Sequence, residues 1–149
     1  TYSIPGIRVG WVASNTEVAD ILRDYRDYTM ICAGVFDDMV ATLALENKAA
    51  ILKRNRQIVE ENLALMDAWI AKEPKASWVR PASVSTSFVK LDVNRPIEDF
   101  ALELLQDYGV LVVPGNRFDK ESHVRIGYCC DKEVLHKGLE KLSQFLNQC

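Results

Sequence analysis

Between Val35 and Lys72 the chain carries neither glycine nor proline, and the next breaker is Pro74. Those two residues most disfavour a helix interior, and here the interval is filled largely with good helix formers. Leu52, Val59, Leu63, Met66 and Ile70 form one apolar stripe, while Lys53, Arg54, Arg56, Glu60 and Glu61 stay polar. The pattern predicts a helix that is long for a chain of 149 residues. A helix of that length suits a bridge between two bodies better than the interior of one. The chain is therefore expected to divide, with one portion ahead of the helix and another after Pro74.

The portion after Pro74 reads as a succession of short elements. Residues 77–80 and 86–93 look like strands joined through Pro81, the second alternating Val89, Leu91 and Val93 with Phe88, Lys90 and Asp92. Ile97, Phe100, Ala101, Leu104, Leu105 and Tyr108 fall at helical intervals, with Pro96 in the first turn and Gly109 just past the end. Residues 110–113 predict a short strand stopped by Pro114-Gly115, and residues 123–129 another. Asp131 is placed to cap a last helix carrying Leu135, Leu139, Leu142 and Leu146. The order from Ser77 is β-β-α-β-β-α, which predicts an α+β fold with a small, mainly antiparallel sheet.

Ahead of the long helix, residues 6–13 read as a strand with Ile7, Val9 and Val12 around Gly10. Ser14-Asn15-Thr16-Glu17 predicts a capping box in which Ser14 caps and Glu17 reaches back. The following helix places Val18, Ile21, Leu22 and Tyr25 on one face. Residues 28–34 break the pattern, with Thr29 and Gly34 marking a loop or kink.

Charge and cysteine usage narrow the function. A net charge of −3 and a pI near 5.4 argue against nucleic-acid or membrane-surface binding, which need concentrated positive charge. No apolar run approaches the ~20 residues of a membrane helix. Cys32, Cys129, Cys130 and Cys149 contain no Cys-x-x-Cys pair, and only His123 and His136 could join them. No metal site is expected, and reduced cysteines are those of a cytoplasmic protein.

Two arginines carry most of the chemical interest. Arg8 lies between Gly6 and Gly10, where backbone can approach a ligand closely and a guanidinium suits phosphate. Spacing alone favours a surface arginine on an edge strand. Arg125 lies mid-strand in His123-Val124-Arg125-Ile126-Gly127, with Val124 and Ile126 facing the core. It can grip a carboxylate through two parallel hydrogen bonds, or pair with a neighbouring Asp or Glu on a solvated sheet face. Val113-Pro114-Gly115-Asn116-Arg117-Phe118 predicts a type II turn with Gly115 at the positive-φ position. Arg117 adds a charge there, either solvated or turned toward a ligand.

These motifs together resemble the class I/II aminotransferases, fold-type-I enzymes that use pyridoxal 5′-phosphate (PLP). The opening Thr-Tyr-Ser-Ile-Pro-Gly-Ile-Arg-Val-Gly-Trp is similar to the family's Thr-Tyr-x-x-Pro-Gly-x-Arg-x-Gly-Trp pattern, which follows the Schiff-base lysine. Val-Arg-Ile-Gly before a capped helix resembles the stretch whose arginine holds the substrate α-carboxylate, and Pro-Gly-x-x-Phe the turn close to it. The resemblance implies that the chain is the C-terminal part of such an enzyme, starting just after that lysine and inactive alone. It implies Arg8 on the PLP phosphate, and Arg125, Gly115 and Asn116 at the substrate. It also places residues 28–33 at a dimer-interface loop, where Thr29 either reaches the partner's cofactor or serves as a helix N-cap. Tyr2 and Ser3 fall beside the cofactor pocket.

The implied layout assigns residues 1–45 to the end of the large cofactor domain and 46–74 to an interdomain helix. Residues 75–149 form a small α+β domain. The expected reaction moves an amino group between an amino acid and a 2-oxo acid in a homodimer. A C–S lyase, decarboxylase or synthase of the same fold stays open, as does a non-enzymatic α+β ligand-binding module. The strand over residues 7–12, unpaired within this chain, predicts self-pairing.

Overall fold

The computed structural model describes residues 2–149; Thr1, first residue of the opening motif, lies outside the described residues. The chain forms two compact units, one ending at Asn55 and one from Arg56 to Cys149. The division falls within the long helix.

In the first unit, Pro5–Ile7 is a single 3-10 turn with proline in its first turn. It leads through an irregular segment to α1 (Thr16–Thr29) and then α2 (Val35–Glu46). The strand expected over residues 6–13 is not formed. A strand persists through ladder hydrogen bonds to a neighbour, and none of the described residues supplies one to this segment. The cap of α1 also differs by one residue: the Asn15 side chain, not that of Ser14, accepts from the Val18 amide at 3.0 Å. The 35–72 run is two helices rather than one. α2 stops at Asn47, whose side-chain amide donates to the Leu43 carbonyl at 2.8 Å, and α3 (Lys48–Ile70) starts next to it. The Asn47 side chain thereby satisfies one of the carbonyls left without an intrahelical partner at the end of α2.

The second unit holds β1 (Ala76–Trp78), β2 (Thr86–Leu91), α4 (Ile97–Tyr108), β3 (Val113–Pro114), β4 (His123–Gly127) and α5 (Lys132–Leu146). The predicted order is observed. The sheet runs β1-β2-β4-β3 with every pair antiparallel. Of the strand expected over 110–113 only its last residue joins the sheet, together with Pro114, opposite Arg125 and Val124. Cys129 and Cys130 lie beyond the end of β4 and not on it.

The alternation of β2 and β4 sorts their side chains. Val89, Leu91, Val124 and Ile126 are buried on one face, against Phe100 and Leu104 of α4 and Leu139, Leu142 and Leu146 of α5. Leu63 and Met66 of α3 join the same core. α4 ends at Gly109, φ +66°, a left-handed C-cap that glycine adopts without a Cβ penalty. Asp131 caps α5, accepting from the Glu133 and Val134 amides at 2.9 and 3.3 Å. The strand-end backbone is fixed by Asn62, a buried residue of α3 that donates to the Tyr128 and Cys130 carbonyls at 2.7 and 2.9 Å.

Candidate cofactor and substrate site

Arg8 closes the 3-10 turn. Its amide donates to the Pro5 carbonyl at 3.3 Å, and its Nη1 reaches the same oxygen at 3.2 Å. The backbone there is left-handed, φ +49° and ψ +27°, a conformation that costs an L-residue about 1–2 kcal/mol. The residue is exposed, and among the described residues no carboxylate pairs with it. Most of its guanidinium donors therefore remain available to an anion. Nearby, Tyr2 and Trp11 meet with ring centroids 6.3 Å apart, and Ser3 is also left-handed, φ +57°. Thr29 is not an N-cap: it ends α1, and its hydroxyl lies 3.3 Å from both the Tyr25 and Arg26 carbonyls.

Arg125 projects from β4 on the face opposite the core, as its place between Val124 and Ile126 requires. Among the described residues it has no carboxylate partner, so the ion pair that its spacing allowed is not made. Its guanidinium carbon lies 5.2 Å from the centroid of the Phe118 ring, a cation–π distance. Phe118 in turn meets Phe88 edge-on at 5.7 Å. Phe88 stands opposite Arg125 in the β2–β4 register and stacks on His123 at 5.1 Å with planes 16° apart. The solvent face of the sheet thus carries a ladder of His123, Phe88, Phe118 and Arg125. Burial, with help from the Lys120 and Lys90 charges, pushes the His123 imidazole below its usual pKa.

The turn over this face is a short 3-10 segment, Gly115–Phe118, and not a type II turn. Gly115 lacks a positive φ; a Cβ on it would sit 2.2 Å from the Lys120 carbonyl oxygen and 2.4 Å from that of His123. Glycine is required for close approach of backbone, not for a left-handed dihedral. Asn116 donates to Glu98 at 2.7 Å, and its Oδ1 is buried with no hydrogen-bond partner among the described residues. Arg117 is mostly exposed, as the solvated reading expects, and within the structure it pairs with the other oxygen of Glu98. Within the second unit the structure brings Arg125, Gly115 and Asn116 to one corner of the sheet, since Val113 and Pro114 pair directly with β4.

Sequence reasoning missed Phe88 and Glu98. Phe88 was legible as a residue on the Arg125 face by its period-2 alternation, given the pairing. Glu98 is an acid in the first turn of α4, and nothing in the sequence distinguishes it from others placed there to answer the helix dipole.

A family model described as aminotransferase class I and II matches residues 1–142. Capreomycidine synthase of Streptomyces vinaceus is 30% identical over 146 residues, 97% of this chain and 38% of its own. A probable N-acetyl-LL-diaminopimelate aminotransferase of Bacillus subtilis (strain 168) is 26% identical over 155 residues, covering 98% of this chain and 38% of that protein. Among solved structures, a PLP-dependent aminotransferase from Streptococcus suis 89-1591 superposes with a TM-score of 0.95 at 66% identity, covering 99% of this chain and 40% of that one. The chain spans about two fifths of the length of these relatives. With the family model matched over nearly its whole length, the chain belongs to the class I and II aminotransferases.

Proposed function

We propose that this chain is the C-terminal portion of a PLP-dependent aminotransferase that moves an amino group between an amino acid and a 2-oxo acid. Residues 1–45 are assigned to the end of the cofactor domain, 46–74 to the interdomain helix and 75–149 to the small domain beside the substrate. The observation that carries the reading is Arg125, an arginine set on an aromatic ring with no carboxylate partner among the described residues. Such a group can receive a substrate α-carboxylate through two parallel hydrogen bonds and fix the amino end of the molecule in one orientation.

The donor set of the first unit fits the cofactor's anionic end. Among the described residues Arg8 bonds only its own turn's carbonyl, and it presents the rest of a planar donor fork, which matches phosphate. PLP supplies, when bound, the electron sink for removal of a proton from the substrate α-carbon. Arg8 holds the phosphate; Arg125, beside Gly115 and Asn116, holds the carboxylate. The Schiff-base lysine expected before Thr1 is not among these 149 residues, which by themselves are expected to be inactive. The complete protein is proposed to be a cytoplasmic homodimer, and the four cysteines of residues 1–149, all free, are in keeping with a reducing setting.

A second reading has a specific observation behind it. The relative at 30% identity is named a synthase, and fold does not fix reaction type within this scaffold. A non-enzymatic module leaves the match over residues 1–142 unexplained.

The test uses the full-length enzyme incubated with amino acids, with and without an added 2-oxo acid. An aminotransferase consumes the oxo acid in step with the amino acid, whereas a synthase or lyase forms product without it. Arg125→Ala is expected to raise the KM for the amino acid by about a hundredfold. Arg8→Ala is expected to weaken cofactor binding instead. Product formation independent of oxo acid would overturn the aminotransferase assignment.

A further inference from the structure

An acid in the first turn of a helix ordinarily answers the helix dipole. Glu98 does more than that, because both of its carboxylate oxygens are taken by the Gly115–Phe118 turn. One accepts from the Asn116 amide at 2.7 Å, and the other pairs with Arg117. A carboxylate has no proton to give, so Asn116 must face it with Nδ2 and direct Oδ1 elsewhere. At the start of the same turn, Gly115 is wedged against the Lys120 and His123 carbonyls. The turn is thereby held from two directions, and it ends in Phe118.

Phe118 is itself 44% exposed, so burial alone does not fix its ring. Its position depends on the edge-on contact with Phe88 and on the turn that carries it. Arg125 has a long, flexible stem and, among the described residues, no hydrogen bond or carboxylate to orient it. The Phe118 ring at 5.2 Å is the contact that does so.

We propose that Glu98 is a positioning residue for Arg125, acting through the turn that seats Phe118 beneath the guanidinium. The proposal rests on the assignment of Arg125 to the substrate carboxylate. With Glu98 in place, the arginine is held in one direction with its donor fork unoccupied, as carboxylate binding needs. Without it, the turn loses two side-chain anchors, the ring is no longer fixed, and the arginine samples orientations that miss the substrate.

The full-length enzyme with PLP tests this through Glu98→Ala, Glu98→Gln, Phe118→Leu, Arg125→Ala and the Glu98→Ala/Phe118→Leu pair. Glu98→Ala is expected to raise the KM for the amino acid about tenfold, with kcat within about threefold and the Kd for PLP unchanged. Glu98→Gln, which keeps one acceptor and loses the charge, falls between. In the Phe118→Leu background, adding Glu98→Ala is expected to change KM by less than about twofold, because the two residues act through one contact. Full multiplication of the two effects, or an unchanged KM in Glu98→Ala, overturns the proposal. If Glu98→Ala unfolds, Glu98→Gln carries the same comparison. Arg125→Ala separates the two levels: a raised KM there with no effect at Glu98 defeats the positioning role alone, and an unchanged KM defeats both.

Discussion

Gly115 and Gly138 show how differently one residue type can act in a single unit. A Cβ at Gly115 collides with two backbone carbonyls that cannot move without shifting the turn and β4. Gly115→Ala is expected to destabilise the protein by about 2–3 kcal/mol in urea unfolding and to raise the amino-acid KM. Gly138 sits inside α5, where a Cβ meets nothing within 4 Å. Gly138→Ala is expected to stabilise by about 0.5–1 kcal/mol through helix propensity alone. The sequence marked a turn at Pro114-Gly115 but assigned the glycine to the wrong cause, because a close approach depends on residues that fold back later. His123 makes a pH prediction. Its folded pKa is lowered by burial and then by Lys120 and Lys90, so the unfolded chain binds its proton more readily. Stability from this group is full above the unfolded value of about 6.5 and is lost as pH falls below it. Urea unfolding at stepped pH should show that loss in wild type and a shallower one in His123→Phe.

The helices and strands of the second unit were legible because each has both a period and a punctuation mark. α4 ends before Gly109 as read, although Pro96 is its N-cap and not part of the first turn, and Asp131 caps α5 as read. The strand over residues 6–13 failed because a pattern describes a segment while a strand also needs a partner; the helical run from Val35 is interrupted at Asn47, and its long part, α3, lies within the expected 46–74. Residues 6–13 have strand-like alternation without a neighbouring ladder among the described residues, and Asn47 ends α2 with a side-chain bond that propensity does not count. Asn62 is the counterpart in α3, a polar residue on the buried side whose amide spans two carbonyls at the end of β4. Its removal leaves those oxygens without their donor in a closed site. Asn62→Ala is expected to lose about 2–3 kcal/mol, against about 1 kcal/mol for Asp131→Ala at an exposed cap. Paired urea titrations would show the order, and equal losses would mean that water replaces the Asn62 bonds.

At the scale of the whole chain the two units differ in how they treat apolar surface. The second unit closes its core completely at Val89, Phe100, Leu104, Val124 and Leu146. In the first, the stripe of α1 read from the sequence is present as a helix face, but Val18, Ile21, Leu22 and Tyr25 are all exposed. Phe36, 82% exposed on α2, and Ile31, 73%, extend the same character. Periodicity revealed that these residues share a face and could not reveal what covers it. Exposed apolar surface on this scale favours association in water. The self-pairing predicted from a strand over residues 7–12 loses its basis with that strand, and α1 and α2 become the surface concerned. Residues 1–149 expressed alone are expected to bind a hydrophobic dye and to form dimers or larger species as concentration rises. The full-length protein is expected to bind far less dye. Charged substitutions at Ile21 and Phe36, both in the first unit, should return the short chain toward monomer. Light scattering across a concentration series measures this directly. A monomer at every concentration, with no dye bound, would mean that the two helices find cover within these 149 residues by a rearrangement of the first unit.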